Sequence, residues 1–338
     1  MQDIADRITG KKVLKLLRTM EYRQRQMREE NQYLQRTLDQ FQSEVRSLVR
    51  HYSLNALPLG GAWERGIQTP PAAAPSLDRL EVSSVCRQEA FDTPDFAYWV
   101  KQLKGARIYH RKVWEHVFIC KVLFERNMLK PGMRGLGFAV GQERLPAFFA
   151  SMGCEIVATD LAADDERAEH WIPSKQHSAN KAHLAFPDLV PAAEFDRLVS
   201  FQAADMNAIS ADLKDFDFCW SACAYEHLGS IEAGLKFVER SVECLKPGGF
   251  AVHTTELNLS SNSDTVDNEN TVLFRRRDME ELAARLKARG YRVAPLDFFP
   301  GTQPLDRYVD LPPYRQHPHL RMMLLGYITT SFGIIVQR

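Results

Sequence analysis

Several short stretches of this 338-residue chain carry residue types that could do chemistry together. In "RGLGFAVGQE", residues 134–143, the small residues Gly135, Gly137, Ala139 and Gly141 crowd into what reads as a turn from strand to helix. Such crowding lets the backbone approach a ligand closely. Asp160 closes the next apolar run, "CEIVATD", and Asp205 lies near the end of "RLVSFQAADM". Ser221 lies in "FDFCWSACA", and His227 follows that run. Glu256 lies near the end of "FAVHTTELNL", with His253 earlier in the same run. Imidazole and carboxylate are the usual proton acceptors in catalysis, so His227 and Glu256 are the candidate bases, and His253 reads as core. A dinucleotide fingerprint G-x-G-x-x-G can start at Gly135 and Gly137, but its sixth position is Val140, and glycine returns only at Gly141. That register disfavours NAD, as does the absence of a Tyr-x-x-x-Lys pair.

The elements that must position these groups alternate between strand and helix. "QERLPAFFASMG", "SIEAGLKFVERSVECLKPGG" and "RDMEELAARLKARG" read as helices between the apolar runs. Ser230 is the expected cap of the second helix; Asp278 caps the third, with Glu281 three residues on and Gly290 as its stop. "YRVAPLDFF" and "GYITTSFGIIVQR" read as closing strands. This alternation predicts an α/β fold, a doubly wound, mostly parallel, seven-stranded sheet. In such a sheet ligands sit at the carboxyl ends of the strands, near the switch point. The turn (Gly137, Phe138, Ala139, Gly141), Asp160 with Leu161, Asp205 with Met206, and Ser221 with Ala222 should therefore converge on one crevice.

Ahead of the sheet, Val13, Leu17, Met20, Gln24, Met27, Asn31, Leu34, Leu38, Phe41, Val45, Leu48 and Tyr52 recur at alternating spacings of four and three. This is a heptad seam with polar a positions at Gln24 and Asn31, and no Pro or Gly interrupts residues 11–57. It predicts an α-helical coiled coil over 1–57, about 60 Å long, and a homo-oligomer formed through residues 11–52. A Pro/Gly/Ala-rich linker is expected over 58–90. The sheet domain is expected over 91–338, with helices over 91–131 (Thr93 before Pro94 marks a start) and the sheet core over 132–338.

Read together, strand, glycine turn and later acids resemble the class I S-adenosylmethionine-dependent methyltransferases, over residues 107–338. Gly137 and Gly141 match the first and third glycines of that family's turn, while Ala139 replaces the middle one and Gly135 stands where an acid is usual. The resemblance implies S-adenosyl-L-methionine as cofactor. It implies that Asp160 accepts from both ribose hydroxyls, a task suited to a carboxylate, and that Asp205 and Met206 hold the adenine. Glu143 takes the place of the missing acid at the methionine amino group. "FDFCWSACAYEHL", with Glu226 and His227, matches the fourth strand and "LKPGGFAVHTTE" the fifth.

The acceptor is indicated by the polar loop "LNLSSNSDTVDNENT", with Asn258, Asn262, Asp264, Asp267 and Asn270, and by the insertion "PGTQPLDRYVDLPPYRQHPHLRM". Both suit a small-molecule or glycan acceptor methylated on a hydroxyl. The coiled coil ahead of such a domain is also similar to methyltransferases of bacterial surface-polysaccharide clusters. Asp264, Asp267, His317 and His319 fit no fixed metal-ligand spacing, so no metal is expected. Lys+Arg and Asp+Glu are both 43, which argues against a bulk grip on nucleic acid. The six cysteines form no Cys-x-x-Cys pair and read as reduced thiols. No apolar run is long enough for a membrane span, and a cytoplasmic location is expected. The alternative is an interaction protein, a coiled coil carrying a degenerate methyltransferase domain, which the missing acid at Gly135 keeps open.

Overall fold

The computed structural model describes residues 81–338 apart from 172–175 and 316, and, in the N-terminal segment, 17–28, 31, 32, 34, 35, 38, 39, 41, 42 and 45. The chain divides into two compact units, residues 1–52 and 53–338. In the first, every described position is helical and exposed, including the seam positions from Leu17 to Val45. The rest of the expected coiled coil and linker residues 58–80 lie outside the described residues.

The second unit runs β1 (Ser83–Val85), α1 (Gln88–Phe91), α2 (Pro94–Gln102), α3 (Arg111–Glu125), β2 (Arg134–Gly137), α4 (Leu145–Ser151), β3 (Glu155–Asp160), α5 (Ala192–Leu198), β4 (Val199–Ala203), β5 (Phe216–Ala222), α6 (Ile231–Glu243), β6 (Leu245–Asn258), α7 (Arg276–Ala288), β7 (Arg292–Val293), β8 (Leu296–Asp297), α8 (Pro304–Arg307), β9 (Val309–Asp310), β10 (Arg321–Leu324) and β11 (Tyr327–Gln337). Single 3-10 turns lie at Glu166–His170, Lys181–Leu184 and Tyr225–His227.

The sheet order is β4-β3-β2-β5-β6-β11-β1-β8, and the first five strands are mutually parallel. Two expectations need correction. Among the described residues the sheet has eleven strands, not seven, and is partly antiparallel: β6, β1, β10 and β7 each pair antiparallel with β11. The end of the expected linker is sheet, because Val85 is buried, the Ile335 amide donates to Ser83 Oγ at 3.0 Å, and the Cys86 amide donates to Ser331 O at 2.8 Å.

Strand β5 shows why the layers form. Its residues alternate sides, Phe218 and Trp220 packing in the cluster with α2, α3 and α4, Cys219 in the cluster with α6 and α7. Phe149 of α4 meets Trp220 edge-on at 4.9 Å between ring centroids. Fully burying one such side chain is worth roughly 1.5–3 kcal/mol. Thr93 caps α2 through the Phe96 amide at 3.1 Å, and Ser230 caps α6 through the Ala233 amide at 3.1 Å. The third cap is displaced: α7 starts after Arg275, and Asp278 is the residue that reaches back to the Arg275 amide, at 2.7 Å.

Candidate active site

The carboxyl ends of β2, β3, β4 and β5 open on a cavity of about 750 Å³. The turn after β2 is glycine-rich partly for reasons of packing. A Cβ on Gly135 would lie 2.4 Å from the Phe218 ring, and one on Gly137 2.5 Å from the Trp220 ring. The acid usual at the Gly135 position is therefore excluded by the aromatic side chains of β5. Beyond Gly137 the backbone turns through left-handed conformations at Ala139 (φ 47°) and Gly141 (φ 52°). A Cβ on Gly141 would come within 2.9 Å of the Gln176 carbonyl oxygen. A non-glycine residue held left-handed, as Ala139 is, stores on the order of 1–2 kcal/mol. Ala139 and Gly141 line the cavity. Phe138 does not; it is fully buried, edge-on to Phe237 at 5.1 Å.

Asp160 lies at the end of β3, on the cavity wall. Its Oδ2 accepts from the Gly141 amide (3.0 Å) and the Ser178 amide (3.0 Å), and its Oδ1 from the Leu161 amide (2.9 Å). Burial raises its pKa, and those three amides oppose the rise. A carboxylate offers about four acceptor positions, so Oδ1 keeps room for one further donor rather than two. Leu161 lines the cavity beside it. Asp205 and Met206 also line it. Asp205 accepts from Arg167 Nη2 at 2.9 Å and from the Asn207 amide at 2.8 Å.

Glu143 lies on the same wall. Trp220 Nε1 donates to its Oε1 at 2.7 Å, and its Oε2 is 3.6 Å from His116 Nε2. Burial pushes the carboxyl up to about 8. A carboxyl shifted by desolvation in a cleft marks functional sites more often than chance. Facing it, Lys112 and His116 reach the cavity from α3. They stand four residues apart, a polar stripe opposite the buried Trp114, Val117, Phe118 and Val122. That spacing in the sequence was the available signal for them. Trp171 and Arg167 line the cavity with no comparable pattern in their flanking residues.

On the β5 side, Ala222 lines the cavity and Ser221 does not. Ser221 is buried and meets His253 Nδ1 at 2.8 Å, while Ser241 Oγ meets Nε2 at 2.9 Å. Burial lowers His253 to about 3, so it is a neutral core histidine. His227 does line the cavity. Its Nδ1 is 3.1 Å from the Asn270 carbonyl, which can only accept; the proton is assigned to Nδ1 on that ground, leaving Nε2 as the acceptor. Burial lowers His227 to about 4 although the Asn270 carbonyl opposes this, and Trp171 packs on its ring at 4.3 Å.

Glu256 departs from its expected role. It does not line the cavity; it is buried, with Oε2 at 2.8 Å from Arg111 Nη2. Arg111 Nη1 also reaches Glu115 Oε1 (3.2 Å), Ser331 Oγ (3.1 Å) and Cys223 Sγ (3.4 Å). Burial opposes ionisation of Glu115, yet Lys112 and Arg111 hold it down at about 2. The ligand atoms of Cys223, Glu226 and Glu256 lie within 4.8 Å of one another, a spacing a metal ion could close. The Arg111 guanidinium already supplies the cluster's positive charge, and burial raises the Cys223 thiol and the Glu226 carboxyl, which favours their neutral forms.

The polar loop after β6 is largely occupied with itself. Asn258 Oδ1 accepts from the amides of Ser260 (2.8 Å) and Ser261 (3.1 Å), and its amide nitrogen donates to Asp264 O at 3.0 Å. Asn262 accepts from the Arg277 amide at 2.8 Å, and Asp267 from the Ile231 amide at 2.8 Å, so both serve helix starts. Of the five expected acceptor-side residues, Asn270 alone lines the cavity. In the insertion, His319 pairs with Asp310 at 2.7 Å, and buried Arg321 donates to Cys86 O at 2.7 Å.

No family model matches the chain, and no curated protein matches it. Among solved structures, an S-adenosylmethionine-dependent methyltransferase from Mesorhizobium loti is similar at 14% identity, covering 70% of this chain and 100% of that one, with a TM-score of 0.41. One from Aquifex aeolicus is similar at 19% identity, over 64% and 87%, with a TM-score of 0.34. The 1,6-didemethyltoxoflavin-N1-methyltransferase of Burkholderia thailandensis is similar at 15% identity, over 68% and 76%, with a TM-score of 0.35. Likeness at this level assigns neither activity nor substrate to this chain.

Proposed function

We propose that this chain binds S-adenosyl-L-methionine in the 750 Å³ cavity and is a methyltransferase acting on a hydroxyl of a polar acceptor, with sugars and glycans as the first class to test. The observation that carries the reading is the joint placement of Gly141 and Asp160 at the ends of β2 and β3, on one cavity wall. The residues fit the group. Asp160 Oδ1 retains acceptor capacity for a ribose hydroxyl, and Asp205 and Met206 suit an adenine edge and face. Glu143 and Lys112 offer a carboxyl and an ammonium for the two ends of an amino acid. When bound, the cofactor supplies an electrophilic methyl on a sulfonium.

The chain's own part is then positioning and proton handling. His227, neutral near pH 7, can accept a hydrogen bond at Nε2 from an acceptor hydroxyl: Asn270 fixes the tautomer that leaves Nε2 unprotonated, 3.9 Å from Glu226 Oε1. Glu256 orients α3 through Arg111 instead of touching the acceptor, and α3 in turn carries Lys112 and His116. The exposed N-terminal seam supports self-association through residues 11–52. Among the described residues no helix is long and apolar enough to cross a membrane.

Calorimetric titration with S-adenosylhomocysteine, with NAD in parallel, tests the reading. Micromolar binding of the former, weakened in His116→Ala and Lys112→Ala, is expected. Binding of neither ligand sinks the enzyme reading and leaves the interaction protein.

A further inference from the structure

The seam of the N-terminal unit is helical at each position from Leu17 to Val45, and its apolar members are between 39% and 62% exposed. At the helical rise per residue, Leu17, Met20, Met27, Leu34, Leu38, Phe41 and Val45 would make one stripe about 42 Å long. Such a stripe needs a cover. Among the described residues, the other unit exposes only Phe299, Tyr314 and Leu325 as large apolar side chains, scattered along the chain. The polar seam positions identify the cover.

We infer that the stripe is covered by a second copy of this chain, in a parallel, two-stranded, in-register coiled coil. This rests on the reading that the segment self-associates and adds its strand number, direction and register. Gln24 and Asn31 both occupy a positions. In a parallel pair in register, each meets its own equivalent, and two primary amides can donate to and accept from one another. An antiparallel pair of full overlap instead sets Gln24 against Phe41 and Asn31 against Leu34 of the second copy, leaving four buried amides without partners. One contact opposes the parallel form: Arg23 at g comes beside Arg28 at e of the second copy. That contact lies on the solvent-exposed edge, where like charges cost little, whereas an unpaired buried amide costs several times more. Direction and register thus follow from the amides. A buried Asn at a also favours two strands over three.

The experiment uses the full chain. Met20→Cys places a thiol at a d position, where a parallel in-register pair brings the two equivalents together. In the antiparallel pair Met20 faces Val45, and the two Met20 positions are about 37 Å apart along the rod. All six native cysteines are buried and free, so wild type is the control under mild oxidation. Expected are twice the chain's mass by light scattering, a covalent dimer for more than half of the Met20→Cys protein, and none for wild type. A dimer that cross-links only in a mixture of Met20→Cys with Val45→Cys overturns the direction. A trimer mass overturns the strand number, and a monomer at tens of micromolar overturns self-association itself.

Discussion

The two sides of the cavity treat their charged groups in opposite ways. On the β2–β3 side, Glu143 and Asp160 face the cavity, and backbone amides or an indole N–H are their partners. On the β5–β6 side, Glu256 and Ser221 turn into the protein, where Arg111 and His253 occupy them. A carboxylate near a strand end can serve as ligand or as structure; Asp160 and Glu256 differ in that a buried guanidinium lies behind the second. Neutral donors leave Asp160 with acceptor capacity, while a guanidinium at 2.8 Å leaves Glu256 as half of an internal ion pair.

The largest expected effect tests the structural side. Glu256→Gln removes the charge and keeps the shape, leaving Arg111 short of a counter-charge. Breaking a buried pair in this way costs about 3 kcal/mol or more, which lowers the thermal midpoint by on the order of 10 °C. Affinity of the folded protein for S-adenosylhomocysteine should stay unchanged. A variant that melts like wild type but has lost turnover would place Glu256 at the acceptor after all.

Asp160→Asn tests the opposite side. The amide replaces acceptor capacity with donors that face the Gly141, Ser178 and Leu161 amides. Affinity for S-adenosylhomocysteine should fall by roughly 10- to 100-fold, about 1.4–2.7 kcal/mol. Equal affinity in calorimetry would mean that the carboxylate only staples the turn.

The difference between the two sides also explains what could be read from the chain. The alternation of strand and helix in the parallel core, the turn and the place of Asp160 at a strand end were legible because each follows from local periodicity and punctuation. Glu256 looked identical to Asp160 in that respect. Its partner, Arg111, lies 145 positions earlier on a helix that sequence patterns place but do not orient. The same is true of Gly135: its missing acid reads as a lost function until the Phe218 ring is seen to occupy the space. The polar loop gave no way to tell acceptor groups from structural ones, because Asn and Asp serve turns and helix starts as readily as ligands.

A third prediction concerns pH. Burial holds Glu143 protonated up to about pH 8, so binding a ligand ammonium there requires proton release. Affinity for S-adenosylhomocysteine should rise as pH rises toward 8, by up to about tenfold per unit at lower pH. Glu143→Gln should flatten that dependence between pH 6.0 and 7.5. A wild-type affinity that is flat over the same window excludes Glu143 from the ammonium.

The smallest effect probes the loop that the sequence assigned to the acceptor. Asp267 accepts from the Ile231 amide at the start of α6, next to the Ser230 cap. Asp267→Ala should therefore cost about 1 kcal/mol of stability, as loss of a helix cap does, and leave both cofactor affinity and acceptor KM where they were. Chemical denaturation reads the first and steady-state kinetics the second. If acceptor KM rises tenfold while the denaturation midpoint holds, the loop's carboxylates belong to the acceptor, and the division between a ligand-facing and a structural side of the cavity has been drawn one loop too early.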